Sequence, residues 1–247
     1  MKIGVIGVGA IGGTLARKLS AAGHEVLVAN SKGADDVRPF AEEIGAIAVD
    51  ARGAVDGADV VILSVPFPAV TKLPRDLFDN LPESVPVVDT GNYYPGLRDP
   101  NIPEIDDGKV ESVWVAEQIG RPVIKAFNMI LAYSLAELGK PEGSVGRLAV
   151  AVAGDDADGK KVVSALVNEV GFDPVDAGGL EDSWRQQPST PVYCCDFDAD
   201  EVRAALPAAK KGDAARRRDD MGAQFAKLPP NPTHDDMVAS NRTANAA

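Results

Sequence analysis

The sequence predicts an α/β chain: a doubly wound, mostly parallel sheet followed by a small helical and irregular extension. Three observations predict it. The first thirteen residues run from a short apolar strand, Ile3 to Ile6, through Gly7-Val8-Gly9-Ala10-Ile11-Gly12-Gly13 into a helix. Apolar runs without alternation, above all Val60-Val61-Ile62-Leu63-Ser64-Val65, read as strands buried on both faces. Between such runs lie segments with apolar residues at helical spacing.

Taken in order, Ile11, Leu15 and Leu19 mark a first helix that Gly23 stops, and a strand follows from Glu25 to Ala29. Val37, Phe40, Ala41 and Ile44 form the next helical face, with a strand at 46–49 and the buried strand at 60–65. Pro66-Phe67-Pro68 ends that strand. A helix is expected around 70–81, then strands at 85–89 and 123–126, a helix at 128–138, a strand at 148–153, a helix at 158–170 and a short strand near Pro174-Val175-Asp176. The main unit therefore closes near residue 180. Residues 181–227 form an extension with a short helix at 199–208, and the proline-rich, polar stretch 228–247 is expected to be mobile unless it docks on a neighbour.

The opening turn has the spacing G-x-G-x-x-G in the context a dinucleotide needs, after a strand, before a helix and ahead of a second strand, which makes the unit Rossmann-type. Gly7 permits the turn, Gly9 lets the backbone approach a pyrophosphate, and Gly12 allows close packing of helix on strand. Val8, Ala10 and Ile11 complete the cradle. The second strand ends in Asn30-Ser31-Lys32-Gly33, with no carboxylate before Asp35. Asn30 and Ser31 can donate hydrogen bonds to a 2′-phosphate and Lys32 can add a positive charge, so NADP(H) is expected over NAD(H).

In a parallel sheet the ligand lies across the carboxyl ends of the strands. That points to Ser64-Val65-Pro66, to the loop from Asp89 through Asn92, Tyr93 and Tyr94, and to Lys125-Ala126-Phe127-Asn128. The candidate residues for chemistry are Asn92, Tyr93, Lys125 and Asn128; if the acceptor needs a proton, Tyr93, Tyr94 or Lys125 would donate it.

A net charge of −12 argues against nucleic acid or an anionic membrane as partner, and 45% hydrophobic content can bury a core. No apolar run approaches a membrane span, and Met1-Lys2 leads directly into the first strand, so a cytoplasmic location is expected. The two cysteines, Cys194 and Cys195, are adjacent and cannot staple distant segments; they read as small apolar residues or as a vicinal redox pair. His24 and His234 have no metal-ligand company, and no metal site is expected.

Together, the segments 3–13, 30–32, 64–66, 89–92 and 123–128, with Gly154-Asp155-Asp156 and Val175-Asp176-Ala177-Gly178, resemble the NADP-dependent oxidoreductases that act on the deazaflavin coenzyme F-420. That family also includes the cytosolic domain of six-transmembrane metalloreductases. The resemblance implies hydride transfer between a nicotinamide and a planar flavin-like or deazaflavin co-substrate, with the 2′-phosphate near Ser31 and Lys32 and the carboxamide meeting backbone at Ala126 and Phe127. Stacking and orientation would carry such a transfer without a dedicated acid or base. The chain departs from the family in running nearly seventy residues past Gly178 and in placing two tyrosines beside Asn92. A small carbonyl or imine acceptor, or an NADP(H)-binding module without turnover, therefore stays open. The extension would cover the acceptor site or form a homodimer contact.

Overall fold

The computed structural model describes residues 1–246, apart from the side chains of Gln224 and Phe225. The chain alternates β1 (Lys2–Ile6), α1 (Ala10–Ala21), β2 (Glu25–Ala29), α2 (Ala34–Ile44), β3 (Ile47–Ala48), α3 (Ala51–Val55), β4 (Val60–Leu63), α4 (Phe67–Val70), β5 (Val87–Asp89), α5 (Pro103–Asp106), α6 (Glu111–Ile119) and β6 (Ile124–Lys125). These strands pair in parallel in the order β3-β2-β1-β4-β5-β6, so the sequence order reverses between β1 and β4. All six carboxyl ends therefore share one edge. The chain continues with α7 (Ala132–Glu137), β7 (Ala149–Val152), α8 (Ala157–Glu169) and β8 (Asp173–Asp176). β7 and β8 form a parallel pair, joined to the main sheet by an antiparallel bridge between Lys125 and Ala153.

The apolar strands have no polar face because both faces are covered. On one side Ile3, Val5, Val28 and Ile62 pack with Leu15, Leu19, Leu135, Val163 and Leu166. On the other, Ile6, Val61, Leu63 and Val87 pack with Val55, Phe67, Trp114 and Val115. A third cluster joins β7 and β8 to the extension through Val192, Tyr193, Val202 and Leu206. The extension comprises a 3-10 helix (Leu180–Gln186), α9 (Ala199–Ala208), α10 (Asp213–Asp219), α11 (Met221–Phe225) and α12 (His234–Ala244). In α9 the Asp198 side chain accepts the Asp200 and Glu201 amides while Glu201 reaches back to the Asp198 amide.

Two expectations need correction. The helix expected around 70–81 is absent: Pro74 cannot donate to Val70 and disfavours helical backbone at Leu73. The chain instead runs through four-residue turns, closed by the amides of Leu73, Leu77 and Leu81 on the carbonyls of Val70, Pro74 and Phe78, which still bury Leu77, Phe78 and Leu81. The helix expected at 128–138 starts only at Ala132, because the Met129 carbonyl turns to accept the Cys194 amide. The stretch 228–247, expected to be mobile unless it docks, contains α12. Thr233 and Asp236 form a capping box at its start. Asn241, Arg242 and Asn245 then donate to the carbonyls of Cys194, Cys195, Asp196 and Tyr193 at 2.7–3.0 Å, docking the helix through polar contacts. Ala247 lies outside the described residues.

Candidate functional site

Two regions line the carboxyl edge of the sheet. The first is the turn between β1 and α1. Gly7 takes the left-handed region at φ 99°, and a Cβ there would lie 2.2 Å from the Ser64 carbonyl oxygen. A Cβ on Gly12 would lie 2.0 Å from the Gly7 oxygen. These two glycines are needed for packing. Gly9 differs: a Cβ there would meet nothing within 4 Å. It is also the N-cap of α1 and offers no side chain to cap the helix, so the first amides of a twelve-residue helix face that open space with the positive end of its dipole. The cradle fits a diphosphate. Val8 and Ile11 are half-buried against the core, and Ala10 is exposed.

Beside the cradle, Asn30, Ser31 and Lys32 follow β2 on the same edge. Ser31 and Lys32 are exposed, and Asn30 is half-buried. Asn30 Nδ2 donates to Asp36 Oδ2 at 2.7 Å, and Lys32 Nζ stands 3.6 Å from Asp36 Oδ1. Asp36 escapes a reading of the sequence, because it lies in the first turn of α2, beyond the strand end where an acidic residue is sought.

The second region is built at the ends of β4, β5 and β6. Thr90 donates its hydroxyl to Ser64 Oγ at 3.0 Å, joining two strand ends; Val65 and Pro66 follow. Asn92 Nδ2 donates to the Asn128 carbonyl at 2.8 Å and to the Tyr193 hydroxyl at 3.2 Å, while Asn128 Nδ2 donates to Asn92 Oδ1 at 3.1 Å and to the Gln186 carbonyl at 2.7 Å. The hydroxyls of Tyr94 and Tyr193 are in direct hydrogen-bond contact. Burial pushes both phenols well above their ordinary value. The fold thus brings Asn92 and Asn128 together. Tyr193 and Gln186, which complete the cluster, come from the extension and carry no motif that places them here. Ala126, directly after β6, is buried, and Phe127 next to it adopts φ 63°, a left-handed backbone that a bulky residue rarely takes.

Tyr93 and Lys125 do not reach the cleft. Consecutive residues of an extended loop point to opposite sides, so Tyr94 meets Tyr193 while Tyr93 enters the core. Its hydroxyl donates to Asp106 at 2.9 Å and accepts the Ile102 amide at 2.7 Å, its ring packs 5.7 Å from that of Phe67, and burial pushes its pKa up to about 12. Lys125 is fully buried: Nζ donates to Asp89 Oδ2 at 2.9 Å and to the Gly91 carbonyl. Asp89 also accepts from the Ser112 hydroxyl at 2.8 Å and the Gly91 amide at 2.8 Å. These contacts fix the loop after β5 from beneath. Next to them, Glu111 is buried and accepts the Tyr93 amide at 3.2 Å; burial pushes its carboxyl up to about 7, against the opposing pull of Lys125. The expectation of proton donors at Tyr93 and Lys125 thereby gives way to a supporting role.

Both cysteines are free and buried, and burial pushes Cys195 up to about 11, which makes it a poor thiolate source. Among the described residues no group of three or more His, Cys, Asp or Glu side chains is placed to hold a metal ion, and no helix is long and apolar enough to cross a membrane.

Residues 2–93 match the family described as NADP oxidoreductase coenzyme F420-dependent. The protein YjhV of Escherichia coli (strain K12) is 52% identical over 105 residues, which cover 42% of this chain and 77% of that one. The chain belongs to this family of NAD(P)-dependent oxidoreductases. The solved structure of SMa0349 from Sinorhizobium meliloti is similar with a TM-score of 0.64 and 30% identity, over 78% of this chain and 92% of that one. A structure from Arthrobacter sp. FB24, named for F420-dependent NADP reduction, has the same fold with a TM-score of 0.60 and 21% identity, over 74% of this chain and 87% of the other.

Proposed function

We propose that the chain binds NADP(H) along the edge from Gly7 to Phe127 and transfers a hydride between the nicotinamide and a planar flavin-like or deazaflavin acceptor. One observation carries the dinucleotide part of this reading, the open space over Gly9 at the uncapped start of α1, framed by Gly7 and Gly12 that cannot accept a Cβ; the planar acceptor is supported by the family match. Gly7, Val8, Gly9, Ala10, Ile11 and Gly12 would hold the pyrophosphate, Asn30, Ser31 and Lys32 the ribose end, and Ser64, Val65, Pro66, Ala126 and Phe127 the nicotinamide end. When bound, the dinucleotide would supply or accept the hydride. Asn92 and Asn128 would orient the acceptor, with the Lys125–Asp89 pair holding the Asn92 loop in place.

The contact between Tyr94 and Tyr193 favours a second reading, in which a small carbonyl or imine accepts the hydride and the Tyr94 phenol donates the proton. Anaerobic mixing with NADPH and a panel of flavins, deazaflavins, carbonyls and imines separates the two by which acceptor bleaches the reduced nicotinamide. Tight binding with no oxidation by any of them would favour a non-catalytic module. The reading includes residues 1–180 as the dinucleotide-binding unit, 181–227 as cover for the acceptor or contact in a homodimer, and a cytoplasmic location. Light scattering on the purified chain tests the dimer.

A further inference from the structure

The carboxylate of Asp36 takes up the donors that the end of β2 offers to a ribose. Asn30 Nδ2 donates to its Oδ2 at 2.7 Å, Lys32 Nζ lies 3.6 Å from its Oδ1, and the Lys32 amide in turn donates to Asn30 Oδ1 at 2.9 Å. Its neighbour Asp35 is engaged elsewhere, in an ion pair with Arg38. We infer that Asp36 is the residue that sets the choice between NADH and NADPH, by competing with a 2′-phosphate for Asn30 and Lys32; the inference rests on the dinucleotide reading above.

The two cofactors differ at one group. A 2′-hydroxyl can donate to Asp36 and leave its contacts with Asn30 and Lys32 in place. A 2′-phosphate brings nearly two negative charges to the same donors and is repelled until the carboxylate swings away. It can swing, because the side chains of Lys32 and Asp36 are 75% and 42% exposed and a solvent-facing pair of this kind is weak. Once it has moved, Asn30, Ser31 and Lys32 are free to donate to the phosphate, and Gly33 beside them has open space where a side chain would stand. Asp36 thereby holds the site between the two cofactors, where a plain Asn-Ser-Lys turn would favour NADPH outright.

The test is calorimetric titration of the full chain with NADPH and with NADH, for wild type, Asp36→Asn and Asp35→Asn, with melting curves to confirm that each variant folds. Asp36→Asn is expected to strengthen NADPH about tenfold and to weaken NADH severalfold, the effect of a single charge-assisted hydrogen bond in each case. Asp35→Asn removes the same charge from the same helix turn and is expected to leave the ratio unchanged. An Asp36→Asn variant with an unaltered ratio, or an Asp35→Asn variant with the same shift, overturns the inference while leaving dinucleotide binding intact. Failure of the wild type to bind either cofactor overturns the dinucleotide reading itself and this inference with it.

Discussion

The two ends of the sheet edge are built by different means. Around Gly9 the chain offers main-chain amides and open space, and its side chains matter chiefly by being absent. Around Asn92 and Asn128 it offers side chains, each held by others: Gln186 donates to Asn128 Oδ1 at 3.0 Å and to the Ala151 carbonyl at 3.3 Å, and a buried Lys125–Asp89 pair lies beneath. A diphosphate is the same in every dinucleotide, so a backbone cradle set by three glycines suffices for it. An acceptor, which the proposed function places at the second end, has its own shape, and recognising it would take groups that can be exchanged one at a time.

The largest expected effect tests whether the second end depends on its buried support. Lys125→Met leaves Asp89 charged and enclosed without its cation, which should lower stability by about 3–5 kcal/mol in urea unfolding; a loss below about 1 kcal/mol would mean that water reaches Asp89. At the first end, Gly9→Leu should leave the melting temperature nearly unchanged and weaken both dinucleotides at least about a hundredfold, close to 3 kcal/mol by calorimetry. Retained affinity there would remove the diphosphate from this turn.

The carboxyl of Glu111 sharpens the comparison through pH. Its folded pKa, about 7, lies above the ordinary carboxylate value, so near neutral pH the folded state holds a proton that the unfolded chain has released. The stability this group contributes is fully present below about pH 4 and is lost as pH rises through about 7, by up to about 3 kcal/mol. Glu111→Gln should abolish that component, seen as a difference between variant and wild type in urea melts at pH 5 and pH 8; parallel curves would place the Glu111 carboxylate in a solvated setting. The smallest effect belongs to the ribose end. Lys32→Glu should weaken NADPH about tenfold, near 1.4 kcal/mol, with little change for NADH, and equal weakening would show that Lys32 does not contact the 2′ position.

How much of this is legible in the sequence follows the same division. The β1–α1–β2 unit can be read because glycine spacing and local periodicity specify it within a short stretch of chain. The strand at Val60 is equally plain, since burial on both faces leaves an uninterrupted apolar run. The direction of Tyr93 is not, because two adjacent tyrosines in a loop look alike until the core claims one. Lys125 looks like a cleft residue for the same reason: a lysine at a strand end gives no sign of a buried partner 36 positions away. Proline explains the missing helix at 70–81 and is visible at Pro74, yet the apolar spacing around it points the other way. In α12 the capping residues Thr233 and Asp236 are present, but the helix docks through amides and a guanidinium, for which hydrophobic periodicity carries no signal.

The docking of α12 ties the last turns of the chain to one small loop. Arg242 and Asn245 grip the carbonyls on either side of the cysteines, at Asp196 and Tyr193, and the Tyr193 hydroxyl accepts from Asn92 in the cluster proposed to meet the acceptor. Under the proposed function, loosening α12 would therefore disturb the cluster around Asn92 and leave the turn around Gly9 unchanged. Arg242→Ala, which removes the guanidinium from the carbonyls of Cys195 and Asp196, is a direct way to disturb the former and spare the latter.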